Sequence, residues 1–257
     1  ILSSKNKNLQ VYLTSSIIYF MATNPEIILG LNIAIEPFSF CLMKNDTILL
    51  EKTFQSPYHF TENLILFLKE ELSTLNKSFD DLKAIGITNG PGNYTSLRLG
   101  ITTIKTIGMV KKIPIFGFST LNALAEQTPS QHPIFTIIPA RKSEYNASLF
   151  IKRDIHTTRL ASDFVIKKEA ILKTASKFKV PILIIGTISP EDALELKKLP
   201  LITVINNQTI YGKTLALLAK NQLALKNTGS YKHLNPEYSH QPTIGQKKRK
   251  SNTQPQN

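Results

Sequence analysis

Residues 89–100 read Asn-Gly-Pro-Gly-Asn-Tyr-Thr-Ser-Leu-Arg-Leu-Gly and stand between an apolar run and a helix-like run. Glycine-rich turns at that junction often hold phosphate, because their backbone amides converge on an anion. A Walker loop needs a Gly-Lys-Ser/Thr ending, but the first lysine after this turn, Lys105, lies well inside the helical run. A dinucleotide loop needs a third glycine where Thr95 stands, and Pro91 removes an amide donor. Both phosphate readings fail on chemistry. Gly90, Pro91, Gly92 and Thr95 are expected to reverse the chain and open a helix, with Asn93 or Thr95 accepting the first free amide hydrogen.

No catalytic, cofactor-binding or metal-ligating set is legible elsewhere. The histidines are His59, His132, His156, His233 and His240; none lies four residues from another, and His233 and His240, seven apart, fall in a region without helical periodicity, so no two-imidazole helix site is read. No Ser-His-Asp or Cys-His arrangement can be read, and the single cysteine, Cys41, sits in an apolar run where burial is expected. With 31 basic against 18 acidic residues the net charge is +13. That excess favours a polyanionic partner, with nucleic acid first. Part of it lies in Lys247-Lys248-Arg249-Lys250, within a polar stretch that lacks core-forming residues.

The elements that must position these residues follow from periodicity. IILGLNIAI (27–35), FSFCLM (38–43) and TILLEKTF (47–54) read as three strands, the last two joined by Lys44-Asn45-Asp46. Residues 59–75 form a helix whose segment Leu64–Leu68 is apolar all round, which calls for cover on two sides. KAIGIT (83–88) is a strand ending at the signature turn, 95–111 a helix, PIFGFS (114–119) a strand, and Ser119 caps a short helix to about Gln127. The pattern then restarts. Strands at 134–139, 145–152 and 155–160 precede a helix at 167–178, a strand at 181–186, a helix at 190–198, a strand at 201–205 and a helix at 208–225. Three strands followed by alternating helix and strand, twice, predict an α/β chain. The expected architecture is two-lobed and actin-like (ASKHA, ribonuclease-H-like), each lobe a mixed sheet with covering helices. The expected division is 26–130 for the N-terminal lobe and 131–240 for the C-terminal lobe. An upstream or disordered extension is expected over 1–25, and a disordered basic tail over 241–257. VYLTSSIIYF (11–20) is too short and too polar to span a bilayer, so no membrane association and a cytoplasmic location are expected.

Within the helix 95–111, Gly100 and Gly108 each cost about 1 kcal/mol relative to alanine and share a face with Ile104. Close approach of another helix, or of the chain's own sheet, would account for them.

Gly90-Pro91-Gly92-Asn93-Tyr94-Thr95-Ser96-Leu97-Arg98-Leu99-Gly100 resembles the Gly-Pro-Gly-Ser-Phe-Thr-Gly-Leu-Arg-Ile-Gly signature of the TsaB (YeaZ) family. These are accessory proteins of threonylcarbamoyladenosine tRNA modification in bacteria. Residues 27–42, Pro57–Glu62 and Ile115–Leu121 are similar to that family's opening strands, His-Ser-Glu helix start and strand-to-helix entry. Ala140-Arg141 with Glu144-Tyr145, and Pro236 with Tyr238, resemble two later segments. Asn32, Ser96 and Pro139 depart from the family's Asp, Gly and Asp.

The resemblance implies a non-catalytic partner of a TsaD catalytic subunit. TsaD transfers threonylcarbamoyl to N6 of the adenine adjacent to the anticodon in ANN-reading tRNAs. A TsaE ATPase joins the assembly, tRNA binds through the complex, and a homodimer stays open when the chain is alone. No cofactor is expected on this chain, with ATP and metal on the partner subunits. Carried onto this sequence, the contact would use the helices 59–75 and 95–111, with Leu64, Phe67, Arg98, Ile101, Ile104, Lys105 and Gly108 contributing. The rival reading is a stand-alone small-molecule kinase or ATPase of actin-like fold. Asn32 in place of a first-strand acid, and Glu36 followed by Pro37 and Phe38, weigh against it.

Overall fold

The computed structural model describes residues 26–55, 57–153 and 156–239. The extension 1–25 and the tail 241–257 of the sequence reading lie outside them. Among the described residues, ten strands form two five-stranded mixed sheets. The first contains β1 (Ile27–Asn32), β2 (Phe38–Lys44), β3 (Thr47–Phe54), β4 (Leu82–Gly90) and β5 (Ile115–Ser119) in the order β3-β2-β1-β4-β5. The second contains β6 (Ile134–Pro139), β7 (Glu144–Arg153), β8 (His156–Lys167), β9 (Ile182–Gly186) and β10 (Ile202–Asn206) in the order β10-β9-β6-β7-β8. In each, three antiparallel strands in series are extended by two parallel ones. The two sheets share one order, so the duplication seen as a pattern in the sequence is real in topology. This is the two-lobed actin-like α/β architecture.

Helices cover the sheets in three layers. Helices α1 (Pro57–Glu62), α2 (Leu64–Thr74) and α3 (Tyr94–Lys111) lie on the outer face of the first sheet. Its residues Leu29, Leu31, Phe38, Phe40, Ile85 and Ile87 meet Leu64, Leu68, Leu72, Ile101 and Ile104 in one core. On the outer face of the second sheet, α5 (Lys168–Ala175) and α6 (Pro190–Lys197) bury Ile171, Ala175 and Leu196 against Ile137, Ile184 and Ile202. Between the sheets lie α4 (Thr120–Gln127) and α7 (Gly212–Ala224). Leu121, Leu124 and Leu215 pack there with Ile134, Ile138, Phe150 and Ile185.

Helix α7 crosses from the second half of the chain to the first sheet. Although it follows the second sheet in the chain, it packs on the first, where Ala216 and Ala219 meet Ile28, Cys41, Met43 and Ala84. Helix α7 thus ties the second half of the chain to the first sheet. Gly30 and Gly86 are register partners on adjacent strands. A Cβ on Gly30 would overlap the carbonyl of Gly212, and one on Gly86 the carbonyl of Leu215. Glycine inside a strand marks such close approach. One difference from the sequence reading is local: the helix read over 59–75 breaks at Asn63 into α1 and α2.

Cys41 is fully buried in this inner layer. Burial above all, and then the nearby Glu51 carboxylate, push its thiol up to about 12, against a smaller opposing pull from Lys213. Because the folded state keeps a proton that the unfolded chain releases near pH 8.5, this contribution to stability is whole below that pH and declines as pH rises toward 12.

Two outcomes follow. Gly86→Ala should lower stability by about 2 kcal/mol or more, read as the urea midpoint; an unchanged midpoint would contradict the close packing of α7. Cys41 in the folded chain should not react with an aromatic disulfide reagent at pH 8 and should react fully once unfolded.

Candidate functional site

The signature turn is built by packing. Strand β4 ends at Gly90, whose φ is +122°, a conformation that L side chains rarely adopt. A Cβ there would run into the carbonyl of Glu237. The next amides are already engaged: Asn93 N–H donates to the Ala34 carbonyl at 2.7 Å, and Ser96 N–H donates to Asn93 Oδ1 at 3.0 Å. Asn93 is thus the cap of α3, and Thr95 is exposed. Two of the turn's amide donors are thus bonded within the chain.

The loop after β1 locks against this turn. Asn32 is fully buried. Its Nδ2 donates to the carbonyls of Ile35 and Pro37 at 2.9 and 3.1 Å, and its Oδ1 accepts from Ala34 N–H at 3.2 Å and Thr88 Oγ1 at 3.3 Å. The departure from aspartate at this position has a local reason. Two carbonyls face the side chain, and only an amide can donate to both.

The C-terminal segment closes the other side. Glu237 N–H donates to the Asn89 carbonyl at 2.7 Å, and Asn89 Nδ2 donates to Glu237 Oε1 at 3.1 Å. This brings Tyr238 beside Tyr94, ring centroids 4.9 Å apart. Arg98 lies over Tyr94 at 5.3 Å and donates to its hydroxyl at 2.8 Å. Burial, and then the neighbouring Tyr94, raise the Tyr238 phenol above its ordinary value, while Arg98 opposes them. The sequence reading named Tyr238 only through the resemblance. The contact with Tyr94 could not be read, because 144 positions of chain separate the two residues (238 − 94).

Three cavities run along the cleft between the sheets. One of about 290 Å³ lies between Pro91, Asn146, Asp163, Phe164 and Glu237. A neighbour of about 280 Å³ is lined by Gly92, Tyr94, Pro139, Arg141 and Tyr238. A third, of about 410 Å³, reaches Arg141, Ser143, Lys168 and Ser189. At its edge Tyr145 donates to Asp192 at 2.8 Å and accepts from Ser189 N–H, while Ser189 Oγ accepts from Asp192 N–H at 3.2 Å. Those bonds start α6. The lobes are joined across the cleft by Ser119 Oγ donating to Asp163 Oδ2 at 2.9 Å, with Arg159 also paired to Asp163.

The predicted contact residues divide. Leu64, Ile101 and Ile104 are fully or almost fully buried in the chain's own core. Gly108 packs on Ile115, and Gly100 on Ile33. The glycine face of α3 therefore serves the chain's own strand β5 and the loop after β1, which corrects its reading as a docking face. Phe67 is half-buried among Phe40, Phe54 and Phe60. Lys105 is half-buried and Arg98 exposed. The surface that α2 and α3 leave open carries Ile65, Leu66, Leu99, Met109 and Val110, with Leu66 58% and Val110 67% exposed. Among the described residues no three His, Cys, Asp or Glu side chains converge as a metal site would require. The side chains of His59, His156 and His240 lie outside that description. No described helix is long and apolar enough to cross a membrane.

A two-lobed actin-like chain with a packed signature turn is thereby defined. Residues 55–197 match the family model described as TsaD: tRNA N6-adenosine threonylcarbamoyltransferase. The chain belongs to this family. It is 31% identical over 123 residues to the tRNA threonylcarbamoyladenosine biosynthesis protein TsaB of Buchnera aphidicola subsp. Acyrthosiphon pisum, covering 46% of this chain and 54% of that one. Against the tRNA N6-adenosine threonylcarbamoyltransferase of Bacillus anthracis it is 28% identical over 115 residues, covering 38% of this chain and 33% of the relative. The chain thus spans about half the length, or less, of these curated relatives. The solved structure of YeaZ from Pseudomonas aeruginosa superposes with a TM-score of 0.67 at 17% identity, over 83% of this chain and 99% of that one. The resemblance to TsaB and YeaZ read from the signature turn is borne out.

Asn32→Asp should cost about 2 kcal/mol or more at neutral pH, since a carboxylate would face two carbonyls without a hydrogen to donate. Thermal unfolding measures the loss. Part of it should return as pH falls, when the protonated carboxyl regains one donor; a pH-independent loss would contradict this account.

Proposed function

We propose that this chain is a non-catalytic partner required by a TsaD-type subunit for threonylcarbamoyl transfer to N6 of the adenine adjacent to the anticodon of ANN-reading tRNAs. The observation that carries the reading is the match to TsaB over 123 residues, combined with the exposed apolar layer on α2 and α3. Ile65, Leu66, Leu99, Met109 and Val110 stand on two helices that cover one sheet face. Apolar side chains grouped on an outer layer are the mark of a protein contact. In this reading the TsaD-type subunit covers that layer. ATP and metal act on the partner subunits, a TsaE-type ATPase joins the assembly, and tRNA is held by the complex. The same layer would let two copies of this chain pair when the catalytic subunit is absent.

In this reading the contact uses the same two helices through their exposed side chains. The buried members Leu64, Ile101, Ile104 and Gly108 shape α2 and α3 from beneath, and their exposed neighbours meet the partner. Leu66→Asp combined with Val110→Asp should abolish co-purification with the TsaD-type subunit, at least a hundredfold loss of affinity. Measured at a concentration where the chain is monomeric, the isolated variant should keep the unfolding midpoint of the parent chain, because both side chains are then already in water. Retained co-purification would reject the contact.

A further inference from the structure

We propose that the cavity at the edge of β5 binds an uncharged molecule of nucleoside size, whose flat ring donates an N–H to Asn89. The inference does not rest on the reading above, since none of the exposed α2 and α3 residues assigned to the partner contact lines this cavity.

The cavity holds about 560 Å³ between β5, the end of α7 and the segment that follows it. Among the described residues β5 ends the first sheet, so one of its edges carries main-chain groups that no strand takes up. Ile115, Phe116, Gly117 and Phe118 all line the cavity. Successive side chains of a strand point to opposite faces, so four consecutive residues meet one space only along the strand's edge. Ile85 N–H donates to the Pro114 carbonyl at 3.0 Å. In that parallel register the main-chain groups of Ile115 and Gly117 turn outward, away from β4. Gly229 covers the first of them, because a Cβ on it would overlap the amide and carbonyl of Ile115. Gly117 stays exposed and leaves its N–H and C=O to the cavity.

Asn89 points to a ligand independently. It lines the same cavity and is only 9% exposed. Its carbonyl accepts from Glu237 N–H, and its Nδ2 donates to Glu237 Oε1. Its Oδ1 is buried and accepts no hydrogen bond among the described residues. Turning the amide over would not help, since Oδ1 would then face the Glu237 carboxylate. A buried acceptor without a hydrogen is costly, and a ligand N–H would remove that cost. The open strand edge is its neighbour: a Cβ on Gly117 would come within 3.2 Å of Asn89 Nδ2.

The lining sets the class of ligand. Phe116, Phe118 and Leu234 supply apolar walls, while no Lys, Arg, Asp or Glu lines the cavity and His233 is its one titratable residue. A charged group would enter without a counter-charge. Apolar walls, a strand edge offering N–H beside C=O, and an acceptor lacking a hydrogen together suit a ring whose N–H stands beside a carbonyl. That is the pattern of a nucleobase or another cyclic amide, and the volume is of the order that holds small molecules.

The test uses the full chain and two probes, uridine and 3-methyluridine, with binding read by titration calorimetry. The two differ by the ring hydrogen that Asn89 would accept. Uridine should bind, and 3-methyluridine should bind about tenfold more weakly or not at all. Asn89→Leu, which keeps the bulk and removes Oδ1, should weaken uridine about tenfold. Glu237→Ala removes the Asn89–Glu237 side-chain bond and spares Oδ1, so it should keep uridine affinity within about threefold of the parent. Failure of uridine to bind, or equal binding of the two probes to the parent chain, would overturn the proposal without recourse to any variant. Asn89→Leu binding uridine like the parent, or Glu237→Ala losing it as fully as Asn89→Leu, would overturn it as well, the last by making Asn89 a structural tie alone.

Discussion

The backbone of α7 touches the backbone of the first sheet. At Gly30, Gly86 and Gly212 even one methyl group would collide with main-chain atoms. Removing side chains from both surfaces lets the helix sit nearer the strands than ordinary ridge-and-groove packing allows. The consequences are global. A helix that follows the second sheet in sequence becomes the inner cover of the first, so the two sheets share one central layer.

The same return path builds the cleft. After α7 the chain runs back beneath β5 and reaches the signature turn, where Glu237 bonds Asn89. Tyr238 arrives beside Tyr94 only because of that route. The turn is therefore squeezed between the loop after β1 and the C-terminal segment. Its glycines answer to those neighbours: Gly92 to Ala34, and Gly90 to Glu237. Two of its amides, those of Asn93 and Ser96, are bonded inside the protein.

Much of the fold was legible because strand and helix periods were clean. The two runs of three strands, the Asn93 and Ser119 caps and the span of α3 were all readable locally. What stayed hidden was long-range. Nothing in the sequence around Gly212 says which sheet it will meet, although glycines inside two apolar strands were a signal that something would come close. The glycine face of α3 shows the limit of one-dimensional reading. Gly100 and Gly108 did mark close approach, but to Ile33 and Ile115 of the same chain rather than to a partner helix. The exposed side of that helix was the complement of the face singled out, and burial alone distinguishes the two. The site was legible as a motif, through its resemblance, and not as geometry, since Tyr238 and Glu237 lie far along the chain.

On the proposed reading, a chain that lends its outer helices to a catalytic partner should matter to the reaction only through that partner. The direct measurement is reconstitution: a TsaD-type subunit with its substrates and an ANN-reading tRNA, with and without this chain, scored for N6-threonylcarbamoyladenosine by mass spectrometry. The account predicts product only when both chains are present, and none from this chain alone. Equal product without this chain, or product from this chain by itself, would contradict it.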